Sequence, residues 1–215
     1  MLVSTNYLLY CSASAQEGDY VKEKQSLDSK SRLMLAAIDL MAEKGYKGVS
    51  TKEIATAAGV SEMTLFRNFG SKLNLLENAV DRYHYSIEMT RIFNEKVTWD
   101  LRKDLLTISQ MYHEVMDRNR KLFLIVLRDD ELIEIREKAQ KHPRKLLELL
   151  TQYFTDMQSR NRMMQTDAET QAITFMWMNY GAFMTQLFGA STITTVSLQA
   201  FIESSIELFV KGVSP

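Results

Sequence analysis

The stretch STKEIATAAGVSEMTLFRNFGSK, residues 50–72, marks three helix starts in succession. Ser50-Thr51-Lys52-Glu53 has the spacing of a capping box, in which the Ser50 hydroxyl and the Glu53 carboxylate reciprocally satisfy amides. A short helix runs to Ala58 and breaks at Gly59. Ser61 caps the next, through about Phe69. Gly70-Ser71 breaks again before a long helix from Lys72 to about Lys96. Ala55 is the small residue that two steeply crossing helices need where they touch, and Gly59 is free to take the positive φ of a tight turn. Ile54, Ala58, Val60, Leu65 and Phe69 form the inner face. Glu62, Met63, Thr64, Phe66, Arg67 and Asn68 fall on the outer face of the second helix of the pair. A bare A-x-x-x-G would fit any αα-corner. Two caps, a turn and the apolar spacing agreeing over about twenty residues point to a DNA-binding helix-turn-helix.

The pattern outside this stretch is also helical. Upstream, Leu33, Ala36, Ala37, Leu40 and Met41 recur at three- and four-residue steps, with Asp28 or Ser29 to cap the start and Gly45 to stop it. Downstream, helices are expected at 100–118, 120–138, 143–160, 167–189 and 197–211. Pro143 suits a first turn, and the β-branched segment 191–196 separates the last two. Two prolines and eight glycines in 215 residues argue against a β-sandwich or barrel, and thirteen methionines suit helices. The expected fold is all-α, a three-helix head on a larger helical body. The expected domains are 28–76 for DNA binding and 77–215 for ligand binding and dimerisation.

Residues 1–27 read as a disordered leader or a mis-assigned start. The first twenty residues have no Lys or Arg for a secretory n-region, although Ala13-Ser14-Ala15 imitates a cleavage site. Gln16-Glu17-Gly18 can be encoded CAG-GAG-GGN, which contains a ribosome-binding hexamer, with Val21 as a GUG start. A signal peptide, a tail and a translated leader all stay open.

A single cysteine, Cys11, excludes an internal disulfide framework and suits a cytoplasmic protein. With 26 basic and 27 acidic residues, any DNA contact must come from a local patch. His84, His113 and His142 are isolated, so surface or satisfied core roles are expected and no metal site. Asp129-Asp130-Glu131 lacks calcium-loop spacing and should begin a helix or sit in solvent. No nucleophile elbow, P-loop or dinucleotide fingerprint is present, so neither an enzyme nor a cofactor is expected.

From Lys30 to Leu76, KSRLMLAAIDLMAEKGYKGVSTKEIATAAGVSEMTLFRNFGSKLNLL, the chain resembles the TetR family of transcriptional regulators. The resemblance covers three helices and the start of the fourth; the rest matches only in being helical. It implies a homodimer that represses transcription and releases DNA when a small molecule enters the body. It also implies phosphate contacts from Thr51, Thr64 and Lys72, whose hydroxyls and ammonium near helix starts have the right chemistry. Glu62, Met63, Arg67 and Asn68 fall at positions available for base contact. Arg67 can pair with guanine, Met63 can pack on a thymine methyl, and Glu62 can accept from cytosine or merely face solvent. The family commonly has Tyr where this chain has Phe66, which cannot make the tyrosine's phosphate bond and is left to pack on sugars or the helix interface.

Residues 170–202 carry no charge. Gln171, Asn179 and Gln186 weaken a transmembrane reading, so no membrane is expected. A plain core helix and a helix wedged between a dimer partner and a ligand cavity both fit, because 172–188 is apolar almost all round. Gly181, Ala182, Ser204 and Ser205 would allow close helix approach in a four-helix interface between two chains. Met116, Phe123, Met176, Asn179, Phe183 and Gln186 are the candidate pocket residues, with Trp99 and Tyr112 as weaker ones. The leading expectation is a repressor of double-stranded palindromic DNA released by an apolar or aromatic ligand. The alternative is a DNA-binding regulator with no small-molecule ligand, constitutive or switched by a protein partner.

Overall fold

The computed structural model describes residues 27–83, 86–189 and 193–215. The readings of the N-terminal leader lie outside these residues, as do Cys11 and His84. Every regular element among the described residues is helical. Helix α1 (Ser29–Lys44) starts where the Asp28 carboxylate accepts from Ser31 N at 2.7 Å, and stops at Gly45. Helix α2 (Thr51–Ala57) opens on the complete Ser50/Glu53 capping box. Helix α3 (Glu62–Phe69) opens on Ser61, and α4 (Lys72–Arg82) on Ser71. Then follow α5 (Ser86–Glu95), α6 (Leu101–Arg118), α7 (Arg120–Arg128), a 3-10 turn (Asp130–Leu132) and α8 (Ile133–Ala139). Helices α9 (Lys141–Ser159), α10 (Ala168–Leu187) and α11 (Leu198–Val213) complete the chain, with Pro143 in the first turn of α9.

Two long helices expected from periodicity are broken. The helix from Lys72 to Lys96 is α4 and α5: α4 ends at Tyr83, which leaves helical backbone (φ −99°, ψ 18°). The sequence Tyr83-His84-Tyr85 is a run of weak helix formers. Tyr83 is buried, and desolvation raises its hydroxyl to about 12. The helix over 120–138 breaks at Asp129, whose extended backbone and carboxylate, accepting from Glu131 N, start the 3-10 turn. The acidic triplet therefore does begin an element.

The chain divides into two compact units. The first extends to Tyr83 and also takes in Arg118–Glu137. Its core holds Leu33, Ala37, Met41, Ile54, Leu65, Leu75, Leu76 and Ala79, all buried. Helix α7 packs on α1 with Leu122, Ile125 and Val126 buried, and Lys121 Nζ donates to Asp39 at 2.6 Å. A single cut after Leu76 therefore does not describe the grouping. The periodicity of 120–128 reveals an apolar face but not which helix covers it.

The second unit holds residues 86–117 and Lys138–Pro215. Helix α9 packs against α5 and α10, and α10 against α11. Phe209 of α11 stacks on Phe154 and meets Phe175 edge-on, both at 5.9 Å between centroids. Buried Asp104 accepts from Thr98 N (2.9 Å), Thr98 Oγ1 (2.7 Å) and Tyr153 Oη (3.0 Å). Trp99 sits at φ 64°, strained backbone for a bulky residue. The Arg160 guanidinium over its ring (3.7 Å), the Tyr153 ring stacked at 6.0 Å, and Arg162 donating to its carbonyl hold it there.

Candidate nucleic-acid interface

The helix-turn-helix assembles from local signals. Gly59 takes φ 66° in the turn, and Val60 N donates to Ala55 O across it at 3.0 Å. Ile54, Ala55, Ala58, Leu65 and Phe69 are buried as expected; Val60 is only half-buried. The Glu53 carboxylate accepts from Ser50 N and Oγ, both at 2.8 Å, and from Lys44 Nζ at 3.1 Å. Those bonds, Ser50's first and then Lys44's, lower it to about 2, so the cap stays ionised.

Helix α3 offers Met63, 80% exposed, Phe66, 47% exposed, and an exposed Arg67. Asn68 is half-buried beside them. Single exposed apolar residues are common on protein surfaces, and Met63 and Phe66 are the large ones that α3 exposes. Other candidates already have partners. Thr51 Oγ1 donates to Glu62 Oε1 at 2.5 Å, tying α2 to α3. The Thr64 hydroxyl pairs with Ser61 Oγ at 2.9 Å. Lys72 Nζ donates to Tyr46 O and Val49 O, both at 2.8 Å, and lies 4.2 Å from the centre of the Tyr46 ring. Desolvation lowers the Lys72 ammonium, while Asp129 and Glu131 oppose that shift. Nothing in the local sequence signals these bonds, because Lys72 and its acceptors are 23 and 26 residues apart.

The pocket candidates divide between the units. Met116, Asn179 and Phe183 are buried in the second unit, where Met176 and Gln186 are half-buried. Phe123 is half-buried in the first. Tyr112 is buried and Trp99 half-buried. Helix α10 shows two faces: Phe175, Asn179 and Phe183 point inward, while Trp177, Tyr180 and, at its C-cap, Phe188 are exposed. His113 was expected to be a surface or satisfied core residue. It is 4% exposed, and neither ring nitrogen makes a hydrogen bond of full geometry, although the Asn179 side chain approaches the ring. In the first unit a cleft of about 100 Å³ is lined by Met41, Gly45, Tyr46, Ile125 and Arg128. That is smaller than the ~300–1,000 Å³ typical of ligand pockets. No group of three or more His, Cys, Asp or Glu among the described residues could hold a metal. No helix among them is long and apolar enough to cross a membrane.

An exposed α3 with arginine and apolar side chains at its surface, set on α2 by a tight turn, defines a helix-turn-helix DNA-binding protein. Residues 33–79 match the family model for "Bacterial regulatory proteins, tetR family". The HTH-type transcriptional regulator YvkB of Bacillus subtilis is 30% identical over 184 residues, spanning 85% of this chain and 96% of YvkB. The chain belongs to the TetR family of DNA-binding transcriptional regulators, which are not enzymes. Two crystal structures are similar in fold. NalD, the secondary repressor of the MexAB-OprM multidrug efflux pump in Pseudomonas aeruginosa, has a TM-score of 0.70 at 19% identity, over 86% of this chain and 97% of NalD. FadR from Bacillus subtilis in complex with stearoyl-CoA has a TM-score of 0.69 at 20% identity, over 85% and 98%.

Proposed function

We propose that the chain is a homodimeric repressor that binds a palindromic operator and releases it on taking up a small apolar or aromatic ligand. The observation that carries this reading is the double-faced α10. Its inward face suits a ligand-lined core, and its exposed face, Trp177, Tyr180 and Phe188, suits a second copy. One helix-turn-helix reads few base pairs, so specificity needs two heads on half-sites about 34–36 Å, or a multiple, apart. The named roles of NalD as a repressor and of FadR as a protein seen with stearoyl-CoA support repression and an apolar ligand. Residues 28–76 are the DNA-reading segment on this view, and 77–215 the dimerising and ligand-binding remainder. Met63, Phe66, Arg67 and Asn68 reach the groove, while Thr51, Glu62, Thr64 and Lys72 hold the reading frame or touch phosphate.

The test takes operator duplexes selected by the protein from a random pool and titrates apolar and aromatic compounds into the complex. Release by a compound that also binds the free protein is the expected result. If compounds that bind the body leave operator affinity unchanged, the ligand-independent regulator replaces this reading. Arg67→Ala is expected to relax discrimination at one base pair per half-site by about 1–3 kcal/mol. Affinities for every single-base operator variant check this; a uniform loss would reassign Arg67 to phosphate.

A further inference from the structure

We propose that His113, Ser109 and Asn179 form the polar head of the effector site, and that the effector is an apolar or aromatic molecule bearing one uncharged hydroxyl. This rests on the ligand-response reading above and adds the chemical class. Residues 109, 113 and 116 share a face of α6 by their four- and three-residue spacing, with Ser109, His113 and Met116 all buried. Asn179 and Phe183, one turn apart on α10, are buried too. The Ser109 hydroxyl donates to Asn179 Oδ1, and Asn179 Nδ2 donates to Phe175 O at 2.9 Å. These two bonds use one lone pair and one N–H of the Asn179 amide. The Asn179 side chain approaches the His113 ring as a hydrogen-bond partner and favours the protonated form, but neither Nδ1 nor Nε2 reaches the distance and angle of a full hydrogen bond. Tyr112 presents its ring at 89° to the imidazole, 5.5 Å between centroids.

A buried donor and acceptor both left unmade are costly, and such groups call for a use. Burial pushes His113 down to about 4, so near neutral pH the ring is uncharged, one nitrogen donating and the other accepting. A hydroxyl can answer either nitrogen, accepting from N–H or donating to the bare nitrogen. A hydrocarbon answers neither. A carboxylate brings an anion into the interior unless the depressed imidazole takes up a proton, and an ammonium brings a buried cation. The uncharged hydroxyl is therefore the head group that this cluster recognises.

The full-length protein is titrated calorimetrically with 4-propylphenol, propylbenzene and 4-propylbenzoate, and histidine ring nitrogens are followed by NMR in 15N-histidine protein. The phenol is expected to bind about tenfold or more tightly than propylbenzene, since a site built for a hydrogen bond rejects the analogue lacking it. It should shift both ring-nitrogen signals of His113. H113F is expected to erase that preference while still binding propylbenzene, and its Tm should not fall, because the unpaired imidazole adds no hydrogen bond to the fold. A lower Tm in H113F with the preference intact would make His113 a structural residue and overturn the proposal. So would equal binding of phenol and hydrocarbon to the wild type, or unmoved ring-nitrogen signals at saturation. If H113F does not fold, the wild-type preference and signals decide. If no probe binds, this assignment falls, while operator release by compounds of other chemistry would keep the ligand-response reading.

Discussion

Glutamate at both Trp177 and Leu208 is expected to yield a folded monomer whose operator affinity falls by about 10²–10⁴-fold, the advantage lost when two linked binding events become one. Trp177 is 68% and Leu208 70% exposed within the chain. Trp177, Tyr180 and Met184 recur at spacings of three and four along α10, and Phe188, its C-cap, lies four residues on. Phe201, Ser205 and Leu208 follow the same rule on α11. A Cβ added at Gly181, on that face of α10, meets nothing within 4 Å. The small residue therefore serves no close approach inside the protomer, and a second copy is the partner that would use it. Two exposed substitutions cost the protomer little, within about 0.5 kcal/mol each. Four carboxylates buried in a two-fold apolar interface are far more expensive. Sedimentation velocity and operator titration check both halves. A double variant that stays dimeric, or a monomer that keeps full operator affinity, would remove this face from the mechanism.

What could be read from the residues follows the range of the forces involved. Helix starts are made within four residues, so Asp28, Ser50, Ser61 and Ser71 announce their helices, and each side chain accepts the expected backbone bond; Asp167 and Ser197 cap α10 and α11 in the same way. The turn glycine is equally local. The breaks at Tyr83 and Asp129 interrupt sequences with no proline or glycine, so periodicity carried both helices too far. The placement of α7 in the first unit depends on Leu122, Ile125 and Val126 finding α1, a choice among several helices that a local pattern does not contain. The same holds for side chains of the candidate site. Met63 and Arg67 face outward because of their own helix phase, which is legible. The attachment of Glu62 to Thr51, and of Lys72 to two carbonyls of the α1–α2 turn, comes from tertiary packing and changes what those residues are free to do. His113 is the extreme case: isolation in the sequence suggested a bland role, and only burial reveals two unmet nitrogens.

Lys72→Ala is expected to cost the fold about 2–4 kcal/mol and to weaken binding to all duplexes alike. Two hydrogen bonds from a charged donor contribute about 1.5–3 kcal/mol each in good geometry, and the ammonium over Tyr46 about 0.5–1 more. Lys72 is half-buried, so water recovers part of this at the two carbonyls. The bonds to Tyr46 O and Val49 O tie the turn before α2 to the first residue of α4. Losing them frees the segment that carries the Ser50 cap and so the orientation of the reading pair. An ammonium has three donors, and two are spent on carbonyls, which leaves one for a phosphate. A phosphate contact carries no base information, so its loss lowers affinity uniformly and cuts the salt slope by about one unit per contact. Denaturant titration reads the clamp and the salt dependence of duplex binding reads the phosphate contact. Lys72→Met separates them further, because it keeps the aliphatic stem over Tyr46 while removing every donor. A stability loss with an unchanged salt slope would make Lys72 a clamp alone. A reduced slope at full stability would make it a phosphate ligand whose bonds to the turn contribute nothing. If neither changes, both roles are withdrawn.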